Sequence, residues 1–116
     1  MLYAGNIGYT NIIYDIDYDD WHAIRLPFVR GVSITVSAIG FNTIFRVYGD
    51  PPNAPFHSVT VEDETVTFFL PEDASADLTL EVTRIGPPEP REGVYSFFVL
   101  LPNSFLQSLY LLLLSP

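Results

Sequence analysis

Residues 57–70, His-Ser-Val-Thr-Val-Glu-Asp-Glu-Thr-Val-Thr-Phe-Phe-Leu, alternate apolar and hydroxylated side chains on either side of an acidic centre. Strand side chains alternate with period two, so Val59, Val61, Val66, Phe68 and Leu70 fall on one side of an extended ribbon. Ser58, Thr60, Thr65 and Thr67 fall on the other, with Phe69. Folded about its middle as a hairpin, the stretch sets Val61 against Val66, Val59 against Phe68 and His57 against Leu70. The turn Glu62-Asp63-Glu64-Thr65 has no Gly or Asn, which disfavours a two-residue type I′ turn and favours a four-residue loop around a type I turn. A lone ribbon with one apolar face is unstable in water, so the chain must supply a second layer.

The same rhythm recurs along the chain. Residues 11–18 read as a half-buried strand, with Ile12, Tyr14, Ile16 and Tyr18 on one face and Asn11, Ile13, Asp15 and Asp17 on the other. Asp19-Asp20 then reads as a turn, and Pro27 marks an edge or strand end after Ile24 and Leu26. Val32, Ile34 and Val36 alternate with Ser33, Thr35 and Ser37, the cleanest period-two segment. Beyond a turn at Gly40-Phe41-Asn42, residues 43–48 point Phe45 and Val47 inward and Arg46 outward. Leu78, Leu80 and Val82 alternate with Thr79, Glu81 and Thr83. Between these runs lie the proline-bearing loop 49–55, the polar loop 71–77 and the proline-rich connection 86–93, which stop pairing and stiffen the crossings. About eight short strands with turn chemistry at even spacing, and no amphipathic helix, predict an all-β, antiparallel β-sandwich of jelly-roll or immunoglobulin-like type.

The carboxyl-terminal quarter breaks the pattern. From Gly93 to Leu101 both faces are largely apolar: Val94, Phe98 and Leu100 with Ser96 on one, Tyr95, Phe97, Val99 and Leu101 on the other. A sandwich strand normally wets one face. Beyond Pro102 comes a further apolar run, Leu109 to Leu114, far shorter than the roughly 20 residues that span a bilayer. The expected organisation is a sandwich over residues 1–102 followed by residues 103–116 as an apolar arm or a final core strand. The surplus of apolar surface points to a protein interface at Phe97, Val99, Leu101, Phe105, Leu106, Leu109, Tyr110 and Leu113.

Charge narrows the function classes. Fourteen acidic residues against five basic ones, all arginine, give a net charge of -9. Such a chain repels nucleic-acid phosphate and anionic membrane, so neither is expected as a partner, whereas a basic protein lattice is compatible. With no cysteine, thiol catalysis, thiolate metal sites and disulfides are all excluded. The amino terminus has neither a basic nor an apolar signal region, so no secretory leader is expected.

Catalytic and cofactor motifs are weak. Asp15-Ile-Asp-Tyr-Asp-Asp20 places acids at positions one, three and five of a calcium loop, but position six is Asp20 instead of Gly and position twelve is Leu26 instead of Glu. His22 and His57 are the only histidines and lack zinc spacing, and no G-x-S-x-G exists. With 14 acids, some pair always lies close, so paired carboxylates alone do not argue for glycoside cleavage. No enzyme activity and no cofactor are expected. Tyr18, Trp21 and His22 flank Asp19-Asp20, and aromatic surface beside carboxylates suits sugar rings. A carbohydrate-binding module using Trp21 and nearby tyrosines is therefore the second functional reading, set against the ordinary role of large aromatics as core or rim residues.

The run from Val59 through Pro71-Glu-Asp73, with Arg30-Gly-Val-Ser33 upstream and Gly93-Val-Tyr95 downstream, resembles small β-domains of tailed-bacteriophage virions, of the capsid cement (decoration) or baseplate accessory type. The likeness covers about residues 30–100 and rests on strand rhythm; the Glu-Asp-Glu turn departs from the glycine-bearing turn common in such domains. It implies a non-enzymatic structural protein of the virion, a homo-oligomer with a trimer favoured, seated on a capsid or tail lattice.

Overall fold

The alternation in residues 33–39 becomes the centre of one sheet, because Ile34, Val36 and Ala38 can be buried together only if Thr35 and Ser37 turn outward. The computed structural model describes residues 7–49 and 55–102. Eight strands follow in order: β1 (Ile7–Ile13), β2 (Asp19–Arg25), β3 (Ser33–Ile39), β4 (Asn42–Tyr48), β5 (Pro55–Val61), β6 (Glu64–Phe69), β7 (Asp77–Gly86) and β8 (Gly93–Leu100). They form two four-stranded antiparallel sheets, ordered β1-β8-β3-β6 and β2-β7-β4-β5. The described residues contain no helix.

The pairing is nested: β1 with β8, β2 with β7, β3 with β6 and β4 with β5. A long ribbon of such pairs, rolled so that β3 also meets β8 and β4 meets β7, is the jelly-roll arrangement, which decides between the two sandwich topologies. Ile34, Val36, Tyr95, Phe97 and Val99 from one sheet face Phe45, Val47, Leu80 and Val82 from the other, all at most 1% exposed. Each such side chain contributes about 1.5–3 kcal/mol of burial.

Several expectations are corrected. Residues 57–70 do form two strands with the expected faces, but β5 and β6 do not pair with each other. The chain crosses from one sheet to the other at Glu62-Asp63, so Val59 and Phe68 point into the core from opposite sheets, and the ring that Phe68 meets across it is that of His57. Asp63 adopts a left-handed backbone, φ 49°, the role a glycine often fills, and its Oδ1 accepts from the Gly40 amide at 2.8 Å, joining this corner to the β3–β4 turn. At the amino end the strand runs over Ile7–Ile13 and stops there instead of continuing to Tyr18; Ile13 is buried while Ile12 and Tyr14 are more than 60% exposed. Asp15 and Asp17 lie in the loop that follows, and Asp19-Asp20 opens β2 instead of turning the chain. Alternation alone cannot say which parity faces inward when both carry isoleucine.

The far end of the sandwich is held by Arg84, only 5% exposed. Its Nη1 donates to the carbonyls of Tyr14, Asp15 and Arg91, its Nη2 to those of Pro87 and Glu89, and its guanidinium lies over the Phe41 ring at 5.0 Å. One cation thereby satisfies carbonyls from the β1–β2 and β7–β8 loops that have no strand partner.

Candidate functional site

Of the expected interface residues, Phe97, Val99 and Leu101 point between the sheets, at 1%, 0% and 4% exposure. Their side chains complete the chain's own core and cannot meet a neighbour, because β8 is an inner strand whose odd-numbered positions face the second sheet. Phe105, Leu106, Leu109, Tyr110 and Leu113 lie outside the described residues. What β8 offers outward is its even-numbered set, Val94, Ser96, Phe98 and Leu100.

That set belongs to a continuous outer face of the β1-β8-β3-β6 sheet. The register defines its rows: Ile12, Val94 and Ile39; then Thr10, Ser96, Ser37 and Thr65; then Gly8, Phe98, Thr35 and Thr67; then Leu100, Ser33 and Phe69. No outward position on these four strands is charged. The hydroxyls largely answer one another, Thr35 Oγ1 to Thr67 Oγ1 at 2.9 Å and Ser37 Oγ to Ser96 Oγ at 2.6 Å. The Phe98 ring occupies the space beside Gly8, where a Cβ would come within 2.8 Å of two ring carbons. Ile12, Ile39, Phe69, Phe98 and Leu100 are all exposed.

The outer face of the β2-β7-β4-β5 sheet differs in kind. Trp21, Glu81, Arg46 and Ser58 form one row, and Asp19, Thr83, Ile44 and Thr60 the next. Glu81 accepts from the Tyr48 hydroxyl at 2.8 Å and from Arg46 Nη1 at 3.2 Å. Arg46 also donates to Thr83, which in turn donates to Asp19 Oδ1 at 3.1 Å. Burial and a hydrogen bond shared with Glu81 push the Asp19 carboxyl above its ordinary value. Burial works against the Glu81 charge, but the hydrogen bonds from Tyr48, Asp19 and Arg46 win and hold Glu81 below its ordinary value. The Trp21 ring leans on Tyr48 at 5.3 Å with a 34° tilt.

Tyr18 and His22, which the sequence groups with Trp21, turn the other way. They join Tyr95 and Asp20 in a network plugging the side of the sandwich where β1 and β2 run along the two sheet edges. Tyr95 is fully buried, and its hydroxyl lies 3.2 Å from that of Tyr18, 3.1 Å from His22 Nε2 and 3.4 Å from Asp20 Oδ2. Tyr9 stacks on Phe97 and meets the His22 ring at a 56° tilt. Desolvation lowers the His22 pKa despite Asp20 beside it, and desolvation together with Tyr18 raises that of Tyr95. A phenol so held is a poor nucleophile and a good structural donor. Among the described residues no group of three or more His, Asp or Glu is arranged to hold a metal ion.

No protein-family model matches the chain, and no curated protein or solved structure matches it. The partners of Trp21 escaped the sequence reading because Arg46, Tyr48 and Glu81 lie on two other strands, 25–60 residues away along the chain. Their one advance signal was the pair Arg46 and Glu81, each the lone charge in an apolar alternation.

Proposed function

We propose that the protein is a non-enzymatic structural protein that acts by protein–protein contact, pairing with a second copy through the outer face of the β1-β8-β3-β6 sheet. The observation that carries this is the absence of charge from every outward position of those strands in a chain of net charge -9. Over a surface bearing that charge, two copies repel, and an uncharged face is where they can approach. Its paired hydroxyls already satisfy one another, so covering them costs little, and Phe98 and Leu100 supply apolar area.

Four strands and four rows present on the order of 400 Å² in projection, half the ~800 Å² per partner of a standard stable interface. The association is therefore weak and concentration-dependent. A flat face that meets itself closes by a two-fold axis, which favours a dimer over the trimer that the resemblance implies. A virion accessory role, as a cement or tail protein, is the setting we propose for such contacts. Jelly rolls serve in viral capsids, and this part of the reading rests on analogy of fold and strand rhythm.

Sedimentation across a concentration series tests the pairing. The full chain should shift from monomer toward dimer as concentration rises, more readily at high salt, where repulsion between like-charged copies is screened. Thr35→Glu, which places a charge in the middle of the face, should keep it monomeric. A wild type that stays monomeric throughout, or a Thr35→Glu variant that dimerises equally well, overturns the reading.

A further inference from the structure

Trp21 is the only tryptophan in the chain, and it stands 50% exposed at an outward position of edge strand β2. A large ring exposed there gains little for the fold. Beside it Glu81 is only 8% exposed although it too points away from the core. It is enclosed by its neighbours on the flanking strands, with Tyr48 and Arg46 both bonded to its carboxylate. Tyr48 continues the regular β4–β7 register one pair beyond Val47, and its ring meets Trp21. The Tyr48 ring and the Arg46 guanidinium are thus fixed on a buried carboxylate, with Trp21 leaning on Tyr48, so the ordering of these two groups is not left to a ligand.

We propose that Trp21 and Tyr48 form the stacking platform of a binding site for neutral sugar rings, with Arg46 and Asp19 as hydrogen-bonding groups at its rim. The alternatives fit the charges less well. An anion would face Asp19 and Glu81 on a chain of charge -9. A cation would sit beside Arg46 and compete for a carboxylate that Arg46 and Tyr48 already occupy. A purely apolar ligand would strip water from Arg46 and Asp19 and return no hydrogen bond. A pyranose presents a C–H face to an aromatic ring, and its hydroxyls both donate and accept, which suits a donor and an acceptor on adjoining rows. Glu81 is already held by Tyr48 and Arg46 and Asp19 accepts from Thr83, whereas the two carboxylates that cleave a glycoside must stand free on either side of the scissile bond. The arrangement therefore suits binding and not hydrolysis. The site lies on the opposite sheet from the self-pairing face, so either proposal can fail alone.

Because Trp21 is the sole tryptophan, its emission reports directly on the platform. The full-length protein is titrated with cellopentaose, xylopentaose, mannopentaose and chitopentaose, and with tetramethylammonium and inorganic sulfate as charged probes. At least one neutral oligosaccharide should give a saturable change in emission at millimolar concentration. Tyr48→Ala should weaken it about tenfold or more, while Tyr48→Phe, which keeps the ring, retains most of it. Trp21→Ala, whose side chain is too exposed to endanger folding, should abolish binding by calorimetry, and Thr35→Glu should leave it unchanged. A flat response to all four sugars, saturation by tetramethylammonium or sulfate alone, or undiminished binding by Trp21→Ala overturns the proposal.

Discussion

His57 carries the sharpest residue-scale consequence. It points inward from β5, stacked on Phe68 of the other sheet at 3.8 Å, and its Nε2 is buried without a hydrogen-bond partner. Burial lowers its pKa below the ordinary 6.5. The folded chain then resists a proton that the unfolded chain accepts, so stability rises with pH in this window and is lost as pH falls from 6.5 toward the depressed folded value. His22 acts in the same direction, again through burial, with Asp20 opposing it. His57→Phe keeps a ring against Phe68 and removes the titrating group. Its melting temperature should therefore fall less steeply than that of the wild type as pH drops below 6.5, and parallel curves would show that His57 is not responsible. From the sequence His57 is only an ordinary strand residue; that its ring nitrogen lies buried follows from β6 crossing to the opposite sheet.

At the scale of elements, strands and loops were legible to different degrees. The inward faces of β3, β4 and β7 follow from alternation because each sets apolar residues on one parity against mostly polar ones on the other, whereas β8 is apolar on both and its inward face was decided by its neighbours in the sheet. The inward face of β1 is not legible, because Ile12 and Ile13 occupy both parities, and pairing with β8 decides between them. The joining of β1–β2 to β7–β8 by Arg84 was not legible, since its partners are main-chain carbonyls that any sequence supplies. Arg84→Met should retain the stem's packing and lose those charged hydrogen bonds, lowering stability by on the order of 3 kcal/mol in denaturant melts. Faster amide exchange should be confined at first to the two loops. A loss within a few tenths of a kcal/mol would mean that water replaces the guanidinium without cost.

For the whole molecule, the nesting of pairs sets the folding behaviour. β1 must find β8 and β2 must find β7 across most of the chain, so loop-closure entropy is lost before the outer contacts form. Refolding followed by Trp21 emission should therefore take milliseconds to seconds, as in other topologies dominated by distant pairings, and a microsecond phase carrying the full amplitude would contradict this. The sequence by itself determined the class of fold, the number and spacing of strands, most inward faces, and the exclusion of thiol chemistry, because these depend on local periodicity, turn residues and composition. Only the tertiary structure decided which strands are neighbours. That choice sent β5 and β6 to different sheets, turned Phe97, Val99 and Leu101 into core, left one outer face without charge, and assembled Trp21, Tyr48, Arg46, Glu81 and Asp19 on the other. Side-chain period says which way a residue points; which strand lies beside it depends on free energy gained between segments far apart in the chain.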